Sequence, residues 1–226
     1  MALGHGASIV RNGLVLHLDA ANKKSYPATG TTWTDLSGNG RNGTLTNTPT
    51  YSSLNSGAIV FDGTNEYVDI SGSTTLTEAT FSVWLKRNGD QIGFAGILSN
   101  RSTSVTGLNF YSTTNKIGYH WNGTTSSYLF DSGLTIPDGA WCMAVVTVTS
   151  TTATLYLCQS AGITTATNTV SHASTTLDSV KLAWDAIGPT NRFMNGSISQ
   201  ASLYNRALTA AEIQQNFNAL RGRYGV

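Results

Sequence analysis

The chain has 226 residues, and its 13 basic and 12 acidic residues leave a formal net charge of +1. This near-neutral balance argues against a phosphate backbone or an anionic membrane surface as the main partner. We therefore expect no nucleic acid as a partner, and we expect no membrane insertion because no apolar run approaches the ~20 residues of a span. Charged residues make up only 11%, and a polar remainder rich in Thr, Ser, Asn and Gly favours strands joined by turns.

The N-terminal segment MALGHGASIVRNG lacks the basic start and apolar core of a signal peptide, so we expect the protein to stay where it is made or to leave by lysis. We interpret residues 1–12 as an N-terminal arm and residues 13–226 as a single domain, because no linker-like stretch divides the chain. Eight apolar or alternating runs of strand length are separated by Gly, Asn, Asp and Pro. They are Gly13–Asp19, Ala58–Asp62, Tyr67–Ile70, Phe81–Lys86, Lys116–Trp121, Trp141–Thr149, Thr154–Cys158 and Ile198–Tyr204. The run Trp141–Thr149 is apolar on both faces for part of its length, which predicts a central strand.

The segment DLSGNGRNGTL, which begins at Asp35, matches two functional patterns. One is the G-x-G-x-x-G of dinucleotide sites and the other is the front half of a calcium loop. A dinucleotide site needs a helix after the glycines, and here Pro49 follows with no apolar helical stripe. An EF-hand needs a bidentate Glu where this chain has Thr46. We interpret the segment as a structured turn, with Asp35 as the one candidate ligand for a loosely held calcium ion, and we expect no other cofactor.

Catalytic chemistry has little support in the sequence. Glycoside hydrolysis needs two carboxyl groups about 5–10 Å apart on one substrate, whereas strand periodicity sends Glu66 and Asp69 to opposite faces. Four histidines have no nucleophile motif beside them. They are His5, His17, His120 and His172. The sequence therefore predicts a non-enzymatic protein and leaves a glycosidase as a remote alternative.

Aromatic and polar residues are concentrated in the middle of the chain. Sugar sites stack aromatic rings on apolar sugar faces and hold hydroxyls with Asn, Asp or Arg. The candidate carbohydrate-binding residues are Arg101, Tyr111, Tyr119, His120, Trp121, Asn122 and Tyr128. Trp121, beside an Asn-Gly turn, lies where a platform at a loop tip is expected, although a core position is also open for it. Trp84, Trp141 and Trp184 are predicted to be core residues.

The two cysteines are too few for a disulfide scaffold or a four-ligand zinc site. If Trp141–Thr149 and Thr154–Cys158 form a hairpin that turns near Ser150, Cys142 and Cys158 lie opposite or nearly opposite each other. We therefore expect their sulfur atoms to be neighbours, either as packed thiols or as a disulfide.

One helix is predicted at the C-terminal end. Thr209 and Glu212 form a capping box, and the apolar stripe of Ile213, Phe217 and Leu220 predicts a helix over about 210–221. Many strands and one closing helix predict an all-β fold. We expect a jelly-roll sandwich of two antiparallel sheets with a short C-terminal helix.

Four segments in register resemble the laminin-G-like branch of the concanavalin A-like lectin/glucanase superfamily. They are Gly57–Ile70, Phe81–Lys86, Trp141–Cys158 and Phe193–Leu208. The N-terminal segment Gly13–Asn47 resembles a version of this domain that is found in virion proteins of tailed bacteriophages, notably marine ones.

The second resemblance implies a non-enzymatic virion component, either a head decoration or part of a tail or fibre, with a face suited to host-surface carbohydrate. It implies synthesis in the host cytoplasm and residence in the virion, with other virion proteins and further copies of the chain as partners. The terminal segments MALGHGASIVRNG and RGRYGV are expected to make those contacts. Assembly in a reducing cytoplasm favours free thiols at Cys142 and Cys158. A free-standing bacterial carbohydrate-binding module is the alternative.

Overall fold

The structure is a computed structural model and describes residues 8–102, 104–112, 114–186 and 192–226. His5 and the first seven residues of the arm lie outside this range. Seventeen strands are formed by the described residues: β1 (Leu14–Asp19), β2 (Thr32–Trp33), β3 (Gly43–Thr46), β4 (Thr50–Ser52), β5 (Ala58–Asp62), β6 (Tyr67–Ile70), β7 (Thr74–Leu76), β8 (Ala79–Arg87), β9 (Gly96–Arg101), β10 (Val105–Tyr111), β11 (Lys116–His120), β12 (Cys142–Val148), β13 (Ala153–Gln159), β14 (Gly162–Asn168), β15 (Thr175–Leu177), β16 (Val180–Leu182) and β17 (Asn195–Tyr204). The helical elements are a 3₁₀ turn at Leu54–Ser56, a single turn α1 (Thr125–Tyr128) and α2 (Ala210–Tyr224). No helix within the described ranges is both long and apolar enough to cross a membrane.

Two antiparallel sheets pack face to face, so the predicted all-β sandwich with a C-terminal helix is confirmed. The back sheet has the strand order β14-β13-β12-β8-β17-β5-β4, and β1 pairs with β17 as well. The front sheet has the order β11-β10-β9-β16-β6-β3-β2, and β7 and β15 form a separate two-stranded ribbon. The predicted central strand is also confirmed, because β12 lies between β13 and β8.

The central strands of the back sheet are buried on both faces, and strand alternation distributes their side chains between two apolar layers. On β8, Phe81, Val83 and Leu85 face the core between the sheets. Trp84 faces the other apolar layer, which lies between the back sheet and α2 and is called the helix layer below. In the helix layer, Trp84 stacks on Phe217 of α2 with ring centroids 5.6 Å apart. This double burial explains why β8 and β12 read as nearly continuous apolar runs, and it confirms that Trp84 and Trp141 are core residues.

Helix α2 begins as the sequence predicts, and it ends three residues later. Thr209 accepts a hydrogen bond from the backbone N–H of Glu212, and the Glu212 carboxylate accepts one from the N–H of Thr209, which completes the capping box. The helix continues to Tyr224 because that ring stacks on Trp84 at 4.2 Å, and Gly225 then ends it in the left-handed conformation with φ 69°. The segment RGRYGV therefore packs against its own sheet, and its contact with neighbouring chains remains a prediction.

The described part of the N-terminal arm is also held by this chain. The backbone N–H of Val10 donates to Oδ1 of Asn216 at 2.8 Å, and the Tyr204 hydroxyl donates to the Val10 carbonyl at 3.0 Å. Val10 itself is buried in the helix layer. Residues 8–12 thus close the layer between α2 and the back sheet.

The expected contact between the two cysteine sulfur atoms is wrong. In the β12–β13 register, Cys158 lies opposite Met143 and not opposite Cys142. A one-residue offset sends the side chains to opposite faces of the sheet, so Cys142 packs in the core between the sheets and Cys158 packs in the helix layer. Both are buried free thiols.

Candidate functional site

A cavity of about 430 Å³ lies where the end of β9, the start of β10 and the end of β11 come together, beside the short helix α1. Its lining residues are Phe94, Arg101, Ser104, Val105, His120, Asn122, Gly123, Tyr128 and Arg192. The register of the front sheet aligns these strand ends, because Val105 pairs with Arg101 and Gly107 pairs with His120. Rings, amides, hydroxyls and guanidinium groups therefore share one wall.

His120 reaches the cavity because of the alternation along β11. Ile117, Tyr119 and the following Trp121 point into the core between the sheets, so His120 points to the outer face of the front sheet. Its ring stacks on Tyr128 with centroids 5.5 Å apart and an interplanar angle of 26°. Phe94 meets the same imidazole edge-on, with centroids 5.7 Å apart. Two aromatic neighbours thus hold the imidazole in one orientation.

Neither ring nitrogen of His120 has a hydrogen-bond partner among the described residues, although the residue is only 4% exposed. Burial lowers the pKa of His120 to about 4, and the nearby guanidinium groups of Arg101 and Arg192 act in the same direction, against the Asp185 carboxylate. The imidazole is therefore neutral at pH 7 and offers one N–H donor and one acceptor nitrogen. Unpaired polar atoms in a buried ring cost free energy unless a ligand or water satisfies them.

Two cations and one buried anion set the charge of the cavity wall. Arg101 donates from Nε and Nη2 to the two carboxylate oxygens of Asp185, each at 2.9 Å. Arg192 donates from Nη1 to the same carboxylate at 2.8 Å. The Asp185 side chain is 1% exposed and does not line the cavity, whereas both arginines do. The Arg192 guanidinium also lies 5.0 Å above the ring centroid of Phe94, a cation–π arrangement.

The structure brings four of the seven predicted sugar-binding residues to this cavity. They are Arg101, His120, Asn122 and Tyr128. The expected platform at Trp121 is wrong in its placement, because the ring is 1% exposed and its indole N–H donates to the Ala173 carbonyl at 2.6 Å.

The other two predicted residues also lie away from the cavity. Tyr119 is buried in the core, with its hydroxyl 3.1 Å from Nε2 of His172. Tyr111 is half-buried at the opposite end of β10, where it pairs with Lys116.

Five lining residues were not predicted from the sequence, of which Val105 begins β10 and Gly123 follows Asn122. Phe94 precedes β9, Ser104 lies between β9 and β10, and Arg192 precedes β17. Arg192 lies at the cavity because the residues around it pack along β9, where the backbone of Trp184 lies against Gly96 and the N–H of Gly96 donates to the Arg192 carbonyl at 3.2 Å. Trp184, which was predicted to be core, is only half-buried there and stacks on Phe193 at 5.1 Å. No local sequence pattern marks these residues.

Asp35 organises the glycine-rich turn. Its Oδ1 accepts from the backbone N–H groups of His17 and Ser37, each at 2.9 Å. Its Oδ2 accepts from the Ser37 hydroxyl at 2.7 Å and from the N–H of Arg41 at 3.0 Å. Four hydrogen bonds engage the lone pairs that a calcium ion would need. In the part of the chain that the structure describes, no group of three or more His, Cys, Asp or Glu side chains is placed to hold a metal.

The described lining of the cavity contains no carboxyl group. Asp185, which lies behind the wall, is bound by two arginines. Glu66 lies elsewhere, between β5 and β6, where its carboxylate accepts a hydrogen bond from the N–H of Asp62 at 2.8 Å. The pKa of Glu66 is raised by burial and by the neighbouring Asp62 charge. What the cavity offers is therefore aromatic surface, hydrogen-bond partners and positive charge.

Many solved structures are similar to this chain, among them those of the following three proteins. Domain 4 of AbnA, a GH43 extracellular arabinanase from Geobacillus stearothermophilus in complex with arabinotriose, aligns with a TM-score of 0.67 and 19% identity over 91% of this chain and 98% of that domain. Trypanosoma rangeli sialidase aligns with a TM-score of 0.66 and 15% identity, but this chain spans only 35% of it. The botulinum neurotoxin serotype D binding domain aligns with a TM-score of 0.62 and 10% identity over 51% of its length. At these identities the similarity shows a shared fold.

A search of curated proteins finds no significant match for the sequence. A family model matches residues 62–214, from the end of β5 to the first turns of α2, and so covers the centre of the sandwich and all described cavity residues. The match exceeds half of the sequence, and the chain therefore belongs to the Concanavalin A-like lectin/glucanases superfamily.

Proposed function

We propose that the chain is a non-enzymatic carbohydrate-binding domain and that its ligand occupies the cavity beside Arg101, His120 and Tyr128. The observation that carries this proposal is the buried neutral imidazole of His120, which has two unpaired nitrogens in an aromatic wall. A sugar hydroxyl both donates and accepts hydrogen bonds, so it can satisfy such a nitrogen while the C–H face of the ring packs on an aromatic side chain.

The size and lining of the cavity support the same ligand class. A volume of about 430 Å³ falls in the usual range of small-ligand sites, which combine apolar walls with a few placed polar groups. Asn122 adds an amide beside the imidazole, and Ser104 adds a hydroxyl. The AbnA domain of similar fold was solved with a bound oligosaccharide, which supports a saccharide ligand for this fold. A described lining without carboxyl groups supports binding in preference to glycoside hydrolysis.

Replacing Tyr128 tests the proposal, because its half-buried ring lines the cavity and packs on His120. We expect Tyr128→Ala to weaken glycan binding about tenfold or more, through loss of an aromatic stacking surface. Tyr111→Ala is the matched control, because Tyr111 is also half-buried but lies at the far end of β10. A glycan array would identify ligands, and titration calorimetry would compare the two variants.

Equal affinities for Tyr128→Ala and Tyr111→Ala would place the glycan elsewhere and overturn the assignment of the cavity. An array of neutral and acidic glycans without any ligand would overturn the carbohydrate-binding function. Release of reducing ends from a bound oligosaccharide would contradict the non-enzymatic part.

We further infer that this domain works in the virion of a tailed phage, as a head decoration or a tail or fibre component that meets host-surface glycans. Support comes from the resemblance of Gly13–Asn47 to virion proteins, and many copies on one particle would multiply weak sugar contacts. A free-standing bacterial carbohydrate-binding module is the alternative. Quantitative mass spectrometry of purified particles separates the two, because many stoichiometric copies support the virion and none would exclude it.

A further inference from the structure

The cavity carries an unbalanced positive charge at one point of its wall. The guanidinium groups of Arg101 and Arg192 converge on Oδ2 of Asp185, at 2.9 and 2.8 Å. Two cations therefore share one anion. Because Asp185 is buried behind the arginines, the surface that faces the cavity presents the cations and not the carboxylate.

Arg101 is held in place while part of its guanidinium remains available. Its Nε and Nη2 bind Asp185, and among the described residues none accepts a hydrogen bond from Nη1. The side chain is 20% exposed, and that of Arg192 is 22% exposed. A guanidinium whose orientation is fixed by a buried carboxylate loses little further entropy when it binds a second oxyanion.

We propose that the cavity selects an acidic sugar, whose carboxylate binds at the guanidinium groups of Arg101 and Arg192 while a ring hydroxyl pairs with His120. This inference rests on the proposed carbohydrate-binding function and names the ligand class of that site. A planar carboxylate matches the fork of an arginine and supplies the second anion that the cavity wall lacks. Uronic acids and sialic acids both carry this group on a sugar ring.

The neutral state of His120 contributes to the same selection. Its ring contacts Phe94 and is close enough to Arg101 and Arg192 to feel both charges, so a protonated imidazole would add a third cation at a site that already has an excess of positive charge. As a neutral ring it binds a hydroxyl and leaves recognition of the carboxylate to the two arginines. The site thus separates charge recognition from hydroxyl recognition along one wall.

The test compares each acidic sugar with its own methyl ester, so that only the charge differs. The probes are methyl glucuronide and a methyl sialoside, each as the free acid and as the ester, with a sulfated sugar as a third anion. We expect the wild-type protein to bind at least one free acid about tenfold or more tightly than its ester, as the loss of a charge-assisted hydrogen bond implies. The preference should shrink at high salt, because the arginines are partly exposed.

The test variant is Arg192→Gln, and Arg11→Gln is the matched control, because Arg11 is exposed on the arm away from the cavity. The test variant should lose most of the preference for the acid over the ester, and the control should keep that preference. Since Arg192 also binds Asp185, near-UV circular dichroism checks that the variant is folded. If it is not, the ratio of acid to ester binding in the wild-type protein decides alone.

Equal binding of acid and ester by the wild-type protein would overturn the acidic-sugar inference and leave the carbohydrate-binding function standing. Tightest binding of the sulfated sugar would overturn the assignment to a carboxylate. If no sugar binds at all, both the inference and the proposed function fall.

Discussion

Acidification should destabilise this protein through His120, and His120→Phe should remove that part of the effect. Burial between aromatic rings lowers the pKa of His120 to about 4 from the ordinary histidine value of 6.5. In the unfolded chain the imidazole is protonated below about pH 6.5, whereas in the folded protein it stays neutral down to about pH 4. The stability that this group contributes is therefore complete above pH 6.5 and is lost as the pH falls from 6.5 towards 4.

The size of the effect follows from the separation of the two pKa values. Each pH unit between them corresponds to about 1.4 kcal/mol, so the full loss for His120 is about 3 kcal/mol. Phenylalanine keeps the aromatic contacts with Phe94 and Tyr128 but cannot titrate. The pKa values of His17 and His172 are also lowered, mainly by burial. Both residues are present in the wild type and in the variant, so the stability that they lose on acidification is common to the two proteins. The difference between wild type and variant therefore isolates His120.

Urea unfolding at a series of pH values between neutrality and about pH 4.5 measures this difference. We expect the free energy of unfolding of the wild-type protein to fall more steeply with acid than that of His120→Phe, by about 2–3 kcal/mol over that interval. Parallel curves for the two proteins would mean that His120 titrates near its ordinary value. That result would refute the desolvated, neutral imidazole on which the proposed sugar contact depends.

Two further predictions concern packing. Gly96→Ala should lower the free energy of unfolding by about 3 kcal/mol or more, because the added Cβ would collide with the backbone of Trp184. Gly222→Ala, in open space on α2, should raise it by about 0.5–1 kcal/mol. Thermal unfolding of both variants measures these changes, and a well-tolerated Gly96→Ala would contradict the close contact between Trp184 and β9. Native protein should not react with a thiol reagent until it unfolds, because burial raises the pKa of Cys142 to about 12 and that of Cys158 further still. Formation of an intramolecular disulfide in the folded state would contradict the opposite faces assigned to the two cysteines.

Strands with strongly apolar faces were predictable, and strands with polar or glycine-rich faces were not. The limits of β5 and β6 match their predicted runs, and the other six predicted runs overlap β1, β8, β11, β12, β13 and β17. By contrast, β9 and β10 were not predicted, because Ser99, Gly107 and Asn109 on their outer face interrupt the apolar alternation. That face is covered by the backbone of Trp184 and by the cavity residues, so tertiary contacts and not local pattern stabilise it. Strand β14, GITTATN, lies at the edge of the back sheet and has no apolar run.

The candidate site was predictable where its residues are close in sequence. The aromatic and polar concentration around His120 located the wall formed by β11 and α1, and Arg101 was included because it is near in the chain. Arg192 could not be included on the same grounds, since it is far from the other site residues in the sequence and meets Asp185 and Phe94 only through the tertiary fold. The positive charge of the site, which determines its proposed ligand class, is therefore a property of the fold and not of any local segment.

The two clear errors of the sequence interpretation share one physical cause, which is the period of two along a strand. Cys142 does not lie opposite Cys158, because the N–H of Thr149 donates to the carbonyl of Thr152 and the hairpin is centred between residues 150 and 151. A turn centred on Ser150 itself would have paired the two cysteines. That shift depends on the turn and could not be read from the strands.

The phase of β11, in contrast, was already present in the sequence. In KIGYHW the residues Ile117, Tyr119 and Trp121 alternate as one apolar face, and this pattern requires Trp121 to point inward and His120 outward. The tryptophan was chosen as the platform because large rings dominate sugar sites, yet the same ring completes the core. Strand phase should therefore take precedence over residue type when a binding residue is chosen from a half-buried strand, and here it selects the histidine.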